Sequence, residues 1–326
     1  MTVDLSKLQD EKRLLLTVPL RPVQGNRFQP TGFPDLGAAT FNAPMLNGDS
    51  AACLLVESPQ SMANRMELTI WDPGKNELKD FAKGMSYVRV VTEKGGHLTS
   101  SIEEAHRLNS VYIENANDQE FRNQLEKEME YSAKNPINRK KFVNTVSKYD
   151  VNSLLHGVFL ESIGGRLRVT RALSAFIEAE EVEVVASGGV KNDHVQPGTE
   201  KGSERTAAEG FGNVPYPREE YAAKKINAYF SLDISQIRGY GLEVDAEQLL
   251  ILLGLYKIRA LLDNDLRLRT ACDFTVASDS ITADRPQSFE LPGRSELEND
   301  LKVAIPKCKS MFAGNDGVTE VTYKFK

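Results

Sequence analysis

The chain has little of what usually betrays an enzyme or an exported protein. Its 326 residues hold three cysteines, Cys53, Cys272 and Cys308, too far apart for a CxxC pair and odd in number. That usage suits reduced thiols in the cytoplasm better than a disulfide framework. The four histidines, His97, His106, His156 and His194, show no HxxxH or Cys/His spacing, so no metal site is expected. No GxxxxGK[ST] loop or GxSxG elbow occurs, and GYGLEV at 239–244 lacks the third glycine of a dinucleotide fingerprint. The longest apolar run, LLILLGL at 249–255, falls far short of the roughly 18 residues of a membrane span. The N-terminus combines no basic, apolar and cleavage regions, so no secretion signal is expected. Positive charge is also scarce: the formal net charge is −6, which counts against a protein that coats nucleic acid through its bulk charge. Phosphate binding depends on where cations sit, however, and the acids cluster in 114–130, 178–183 and 243–247, away from the basic groups. The expectation is a protein without catalytic residues, cofactor, metal or membrane partner.

What is present reads as mixed α and β. Leu14, Leu16 and Val18 alternate as a first strand, followed by a Pro/Gly-rich loop at 21–37. ACLLV at 52–56 is a buried strand, and SPQSMANRMEL at 58–68 a short helix with Ser58 at the N-cap and Pro59 at the first helical position. Residues 69–150 are less orderly: YVRVV at 87–91 suggests a strand, and 117–133 an amphipathic helix with Phe121, Leu125 and Met129 four apart. GRLRVTRALSAFIEAEEVEVVAS at 165–187 gives two or three strands, and 188–220 a long polar loop rich in Gly and Pro. YFSLDI at 229–234 is a strand. Asp245 and Gln248 suggest a capping box for a helix over 246–262 that is apolar nearly all round and therefore a buried spine. LRLRTACDFTVAS at 266–278 is a further strand, and the last 45 or so residues read as short strands and turns. The sum is an α+β sandwich, with helices against one face of a mostly antiparallel sheet.

Arginine recurs at strand spacing. Arg166 and Arg168 share one face of GRLRVTR, and Arg267 and Arg269 one face of LRLRT. Two such strands in one sheet would make a cationic stripe able to fork onto phosphates; the alternative is a salt-bridged sheet surface, with Glu178, Glu180 and Glu183 as partners. The start of SPQSMANR offers free N–H groups and a dipole suited to phosphate, with Ser61, Asn64 and Arg65 on one face and Met62 and Met66 on another. A capped helix with a polar outer side is the alternative. RKK at 139–141 and KK at 224–225 suit solvated surface. The loop aromatics Phe211 and Tyr216 can wedge against bases or anchor the loop to its own domain.

Taken in order, GNRFQPTGFPDLGAATF, LLVESPQSMANRMEL, SLLHGVFLESIGGRLRVTRALSAFIEAE, ASGGVKND, GFGNVPY, ISQIRGYGL and LRLRTACDF resemble the backbone subunit of type I-G (formerly I-U) CRISPR Cascade complexes, of the RAMP superfamily. The resemblance runs from about Arg13 to Ser278. It implies an α+β, RRM-like (ferredoxin-like) palm of mostly antiparallel sheet, with finger-like and thumb-like insertions: palm 1–68 with 151–187 and 221–326, finger 69–150, thumb 188–220. It implies a non-catalytic protein whose copies line up along a CRISPR guide RNA and present it for pairing with target DNA in antiviral defence. Its other partners would be the end-capping and large subunits. Carried onto this sequence, the resemblance makes Ser58, Gln60, Ser61, Asn64 and Arg65 phosphate contacts. Lys191, Asn192, Phe211 and Asn213 become thumb contacts to RNA or a neighbour, and Arg166, Arg168 and Arg238 lie near the strand. Arg267 and Arg269 join them on the charge pattern above. The glycine-rich loop of RNA-cutting relatives is reduced to RGYGL, and no histidine is placed for a catalytic dyad. The competing readings are an RNA endonuclease of the same superfamily, with Asp193 and His194 as its candidates, and an unrelated α+β metabolic enzyme.

Overall fold

The alternation at the start of the chain is borne out: Leu14, Leu16, Val18 and Leu20 are all buried along one strand. A computed structural model describes residues 2–33, 35–45, 48–195, 206, 208–278 and 280–325. Its main elements are β1 (Arg13–Pro22), β2 (Thr40–Pro44), β3 (Ser50–Glu57), α1 (Pro59–Leu68), β4 (Tyr87–Thr92), β5 (His97–Ser100), α2 (Glu120–Glu128), α3 (Arg139–Tyr149), β6 (Val158–Leu160), β7 (Leu167–Val169), β8 (Leu173–Lys191), β9 (Val214–Asp233), α4 (Val244–Leu262), β10 (Leu266–Arg269), β11 (Cys272–Val276), α5 (Arg294–Lys307) and β12 (Val318–Tyr323).

Seven strands form the main sheet in the order β10-β11-β1-β9-β8-β3-β2, every neighbouring pair antiparallel. Taken with α1 and α4, strands β1, β8, β9 and β11 follow a β-α-β-β-α-β path with β11 and β1 side by side, then β9, then β8. That arrangement is consistent with a ferredoxin-like (RRM-like) fold. The fold is α+β and mostly antiparallel, as expected. Both helices cover one face. Met62 and Met66 of α1 are fully buried, and α4 lies so close to β9 that a Cβ on Gly254 would come 3.0 Å from Leu232 Cδ1. The α1 start matches the sequence reading, with Ser58 Oγ accepting from the Ser61 N–H at 3.3 Å and Pro59 opening the helix.

Several expectations need correcting. Segment 188–220 is not a loop throughout: β8 runs to Lys191 and β9 starts at Val214, so the two form one long hairpin, and 196–205 and 207 lie outside the described residues. Glycines and prolines suggested a loop, but in the hairpin the Tyr216 ring lies over Gly189, where an added Cβ would sit 2.5 Å from Tyr216 Oη. The bare glycine is thus covered by a cross-strand aromatic. Segment 266–278 is two strands, with a turn whose Ala271 has φ +60°. The main helix begins at Val244 after Glu243 without a side-chain cap, so the expected box of Asp245 and Gln248 is not formed. The 117–133 helix shrinks to α2, because Asn117, Asp118 and Gln119 have φ of 49°, 54° and 72°.

Two of the longer helices among the described residues went unread. α3 starts at RKK, capped by Asn138 Oδ1 accepting from the Lys141 N–H at 3.1 Å. α5 hides Leu297, Leu301, Ala304 and Ile305 among charged residues and carries Pro306 in its last turn. The C-terminal strand β12 pairs in parallel with β4, so the 69–150 segment shares a sheet with the far end of the chain. No helix among the described residues is long and apolar enough to cross a membrane.

Candidate nucleic-acid interface

The two arginine strands do not share a sheet. Among the described residues β7 pairs only with β6, in a separate two-stranded sheet, while β10 edges the main one. A single stripe of Arg166, Arg168, Arg267 and Arg269 is therefore not formed.

Arg269 and Arg65 meet instead at a buried carboxylate. Glu57, 4% exposed at the end of β3, accepts from Arg269 Nη2 at 2.6 Å, and Arg65 Nε lies 3.5 Å from its other oxygen. Arg65 also donates to the carbonyls of Arg267 and Leu268 at 3.2 and 2.7 Å. Four strands separate β10 from β3 in the sheet order, so this contact means the sheet curls until its two flanks touch beside α1. Both guanidiniums are thereby committed to holding the fold, although each keeps about a quarter of its side chain exposed. Arg267 is freer, 78% exposed and 3.7 Å from Asp273. Ser58, Ser61 and Asn64 are half-buried along α1, and Gln60 is exposed at its start.

On α1, residues 65 and 67 point roughly 200° apart. Arg65 faces β10, whereas Glu67 faces inward to Arg107, with Nε–Oε1 at 2.5 Å and Nη2–Oε2 at 2.6 Å. Arg107 in turn donates to the Gly157 carbonyl at 3.0 Å. Beyond Gly157 opens a cleft of about 750 Å3 whose walls include Arg107, His106, Phe159, Arg168 and Arg171. Arg168 is exposed, with its guanidinium over the Phe159 ring, 4.9 Å from the centroid. Arg166 is exposed on the preceding turn. Arg65 and Arg168 thus sit on different flanks of α1, and the sites foreseen on them form two groups.

The remaining candidates are dispersed. Arg238 Nη1 donates to Glu11 O and Nη2 to Leu8 O, both at 2.9 Å, Nη2 also reaches Gln9 O, and Nε meets Glu247 at 3.1 Å. Its donors are consumed in fastening the N-terminal segment. Lys191 pairs with Asp193 at 3.0 Å and reaches the Gly210 carbonyl, and Asn213 Oδ1 accepts from the Asp193 N–H at 3.0 Å. These residues brace the hairpin end; Asn192 and His194 are exposed there, and Phe211 is half-buried. A hydrogen bond from the Val195 N–H, then Lys191, holds the Asp193 carboxyl below the usual carboxylate range.

Behind the cleft lies a buried polar network that the sequence reading missed. Asn152 Nδ2 donates to Glu67 at 2.8 Å, Lys257 of α4 donates to Asn152 Oδ1, and Lys257 Nζ lies 3.1 Å from His156 Nε2. Burial pushes the Lys257 ammonium down to about 7 and the Asp150 carboxyl up to about 7, and raises Glu67 against the pull of Arg107. Burial, then the charges of Lys257 and Arg107, hold His156 well below its ordinary value. With Lys257 donating, Nε2 accepts and Nδ1 keeps the ring proton, and that Nδ1 has no partner. Lys257 and His156 are far apart in sequence and sit in apolar contexts, so no motif announces them.

The family described as "CRISPR-associated protein GSU0053" matches residues 14–184, just over half of the 326-residue chain. The chain belongs to this family. The matched stretch of this CRISPR-associated protein runs from β1 through α1, the polar network apart from Lys257, and the Arg168 cleft, and stops inside the long hairpin. No curated protein matches it. Among solved structures, a chain titled "CRISPR RNA-guided surveillance complex, pre-nicking" aligns at 12% identity over 89% of this chain and 86% of that one, with a TM-score of 0.36. Csc2 of Thermofilum pendens aligns at 9% identity over 95% and 80%, with a TM-score of 0.32. Superpositions this loose leave the fold assignment to the strand order itself.

Proposed function

We propose that this CRISPR-associated protein is the non-catalytic backbone subunit of a type I-G Cascade complex, repeating along the guide RNA and presenting it to target DNA. The family match over residues 14–184 carries the reading. Two features of the molecule support it. Arg166 and Arg168 stand exposed beside an open cleft on an otherwise acidic protein, where guanidiniums can meet a phosphate backbone without first breaking a carboxylate pair. The β8–β9 hairpin also leaves the sheet after its last contact with β3 at Glu180, which gives a ribbon long enough to reach a neighbour. On this reading the curled sheet is the palm, 69–150 the finger-like insertion and the ribbon the thumb. The partners are the guide, further copies of the chain, and the end-capping and large subunits. Base pairing would then read sequence while the protein reads backbone and shape.

The test is binding to unrelated guide-length RNAs across a salt series. Affinity should be indifferent to sequence and fall steeply with salt, and Arg166→Ala with Arg168→Ala should shallow the log–log slope by about 1.4, at roughly 0.7 per lost single-strand phosphate contact. A monomer that ignores RNA overturns the reading. So does specific RNA cleavage abolished by His194→Ala, which would make the protein a nuclease.

A further inference from the structure

The face of the sheet that α1 and α4 leave open carries an aromatic pair. Along β8, Leu173, Ala175, Ile177 and Ala179 turn inward, which puts Ser174, Phe176, Glu178 and Glu180 on the opposite side, all half-buried. Along β9, Tyr229 and Ser231 share that side, and Phe176 lies directly across from Tyr229. Their rings stack with centroids 5.0 Å apart and planes at 23°. They line a shallow cleft of about 240 Å3 with Leu15, Thr17, Ser174 and Ser231.

Ser174 also lines the larger cleft of Arg168 and Arg171, so the two hollows adjoin across one residue. The larger one is short of negative charge. Glu67 is engaged by Arg107, Glu161 stands exposed at the rim, and neither Arg168 nor Arg171 has a carboxylate ion-pair partner among the described residues. Burial, then the neighbouring Arg107, lowers the pKa of Arg171, with Glu67 opposing them. His156, with its unpartnered Nδ1, lines the same cleft. Gly157 shapes it: at φ +80° an added Cβ would come 2.9 Å from Val169 O and 3.1 Å from Arg171 N, so only glycine lets this turn press against the arginine strand.

Resting on the RNA-binding reading above, we propose that these adjoining hollows form one nucleotide subsite for single-stranded RNA, with a phosphate between Arg168 and Arg171 and a base stacked on Phe176 and Tyr229. Sheet faces bearing aromatics stack bases of any identity, which suits a protein that must hold guides of every sequence. Glu178 and Glu180 continue along β8 beyond the aromatic pair. They repel phosphate, as does Asp284 on the aromatic cleft, so the phosphate of the subsite lies at the arginine end.

Photocrosslinking of the full chain to a 4-thiouridine oligonucleotide, with the adduct mapped by mass spectrometry, tests the placement; adducts on Phe176 or Tyr229 are expected. In parallel, Phe176→Leu with Tyr229→Leu should weaken binding about tenfold with an unchanged salt slope, since stacking carries no charge. Arg168→Gln with Arg171→Gln should instead lower the slope by about 1.4. If the wild-type protein binds RNA but crosslinks elsewhere, and both double variants bind as it does, this subsite is refuted while the RNA reading stands. If the wild-type protein binds no RNA, both fall. The crosslink needs no substitution, so a variant that fails to fold does not remove the test.

Discussion

Glu57 and Glu67 stand ten positions apart, both buried, and each answers arginines brought from elsewhere in the chain. The difference between them decides which arginines are available to a ligand. Arg107 is 7% exposed and doubly bonded to Glu67, so Glu67→Ala would strand a buried guanidinium and should cost about 3–5 kcal/mol in urea denaturation. Arg168, itself exposed and lying over the half-buried Phe159 ring, should tolerate Ala within about 0.5 kcal/mol. A smaller loss for Glu67→Ala than for Arg168→Ala would invert this picture. Strand alternation in the sequence correctly turned Arg166 and Arg168 outward. It could not tell that Arg65 would be held by Glu57 and by the backbone at 267–268, because those partners arrive only when the sheet curls. Phe176 and Tyr229 escaped notice for a similar reason: each is unremarkable on its own strand and gains a partner only from the residue across from it, while Arg171 sits in the link between β7 and β8.

Among elements, the hairpin was the hardest to read and is the most informative. Its inner half obeys strict alternation, and a sequence reading finds it easily. The outer half contains Gly188, Gly189, Pro215 and Pro217, which signal a loop to any local rule, yet the register continues to the pair Lys191 and Val214. β8 has no strand on its outer side beyond Glu180 among the described residues, and Val184, Val190 and Tyr216 are exposed there. Replacing residues 185–220 by Asn-Gly would close the hairpin on the pair Val184 and Tyr221 and keep the Tyr221 bridge to Phe28. The shortened protein should melt within a few degrees of the parent, at about 2–4 °C per kcal/mol for a chain of this size. If the proposed role holds, it should still bind a short RNA but fail to form a multi-copy assembly on a long one, as read by gel filtration. Undiminished assembly would show that the ribbon does not link copies. Helix α4 was legible because its apolar positions are dense, and α1 because Ser58 and Pro59 mark its start; α3 and α5 were not, because charges interrupt their apolar positions.

At the scale of the molecule, the polar network fastens the 69–150 segment to the sheet. Arg107 enters from that segment, Glu67 from α1, Asn152 and His156 from the turn before β6, and Lys257 from α4. Lys257 releases its proton near 7 in the fold, against about 10.4 in an unfolded chain. Between those values the unfolded chain binds one more proton, so stability rises with pH across that window. Asp150, raised to about 7 from about 3.9, acts in the opposite sense: between those values the folded chain holds the extra proton, and stability falls as pH rises. The depressed His156 opposes Asp150 on the acid side, so the clear expectation lies above neutrality: denaturation midpoints should rise from about pH 7 toward pH 10, and Lys257→Met should abolish that rise. A wild-type profile that stays level from neutrality to about pH 10 would refute the depressed lysine. None of this could be seen in a sequence whose relevant positions span residues 67 to 257, just as the parallel pairing of β12 with β4 joins segments more than 200 residues apart.

The curling of the main sheet has a further consequence. Arg269 and Glu57 hold the flanks of the main sheet together, whereas the long hairpin has no strand paired to β8 beyond Glu180 among the described residues. With Val184 and Val190 exposed on it, that unpaired length of strand is a template for another chain. Aggregation should begin there, and solubility should improve when Val184 and Val190 are replaced by lysine.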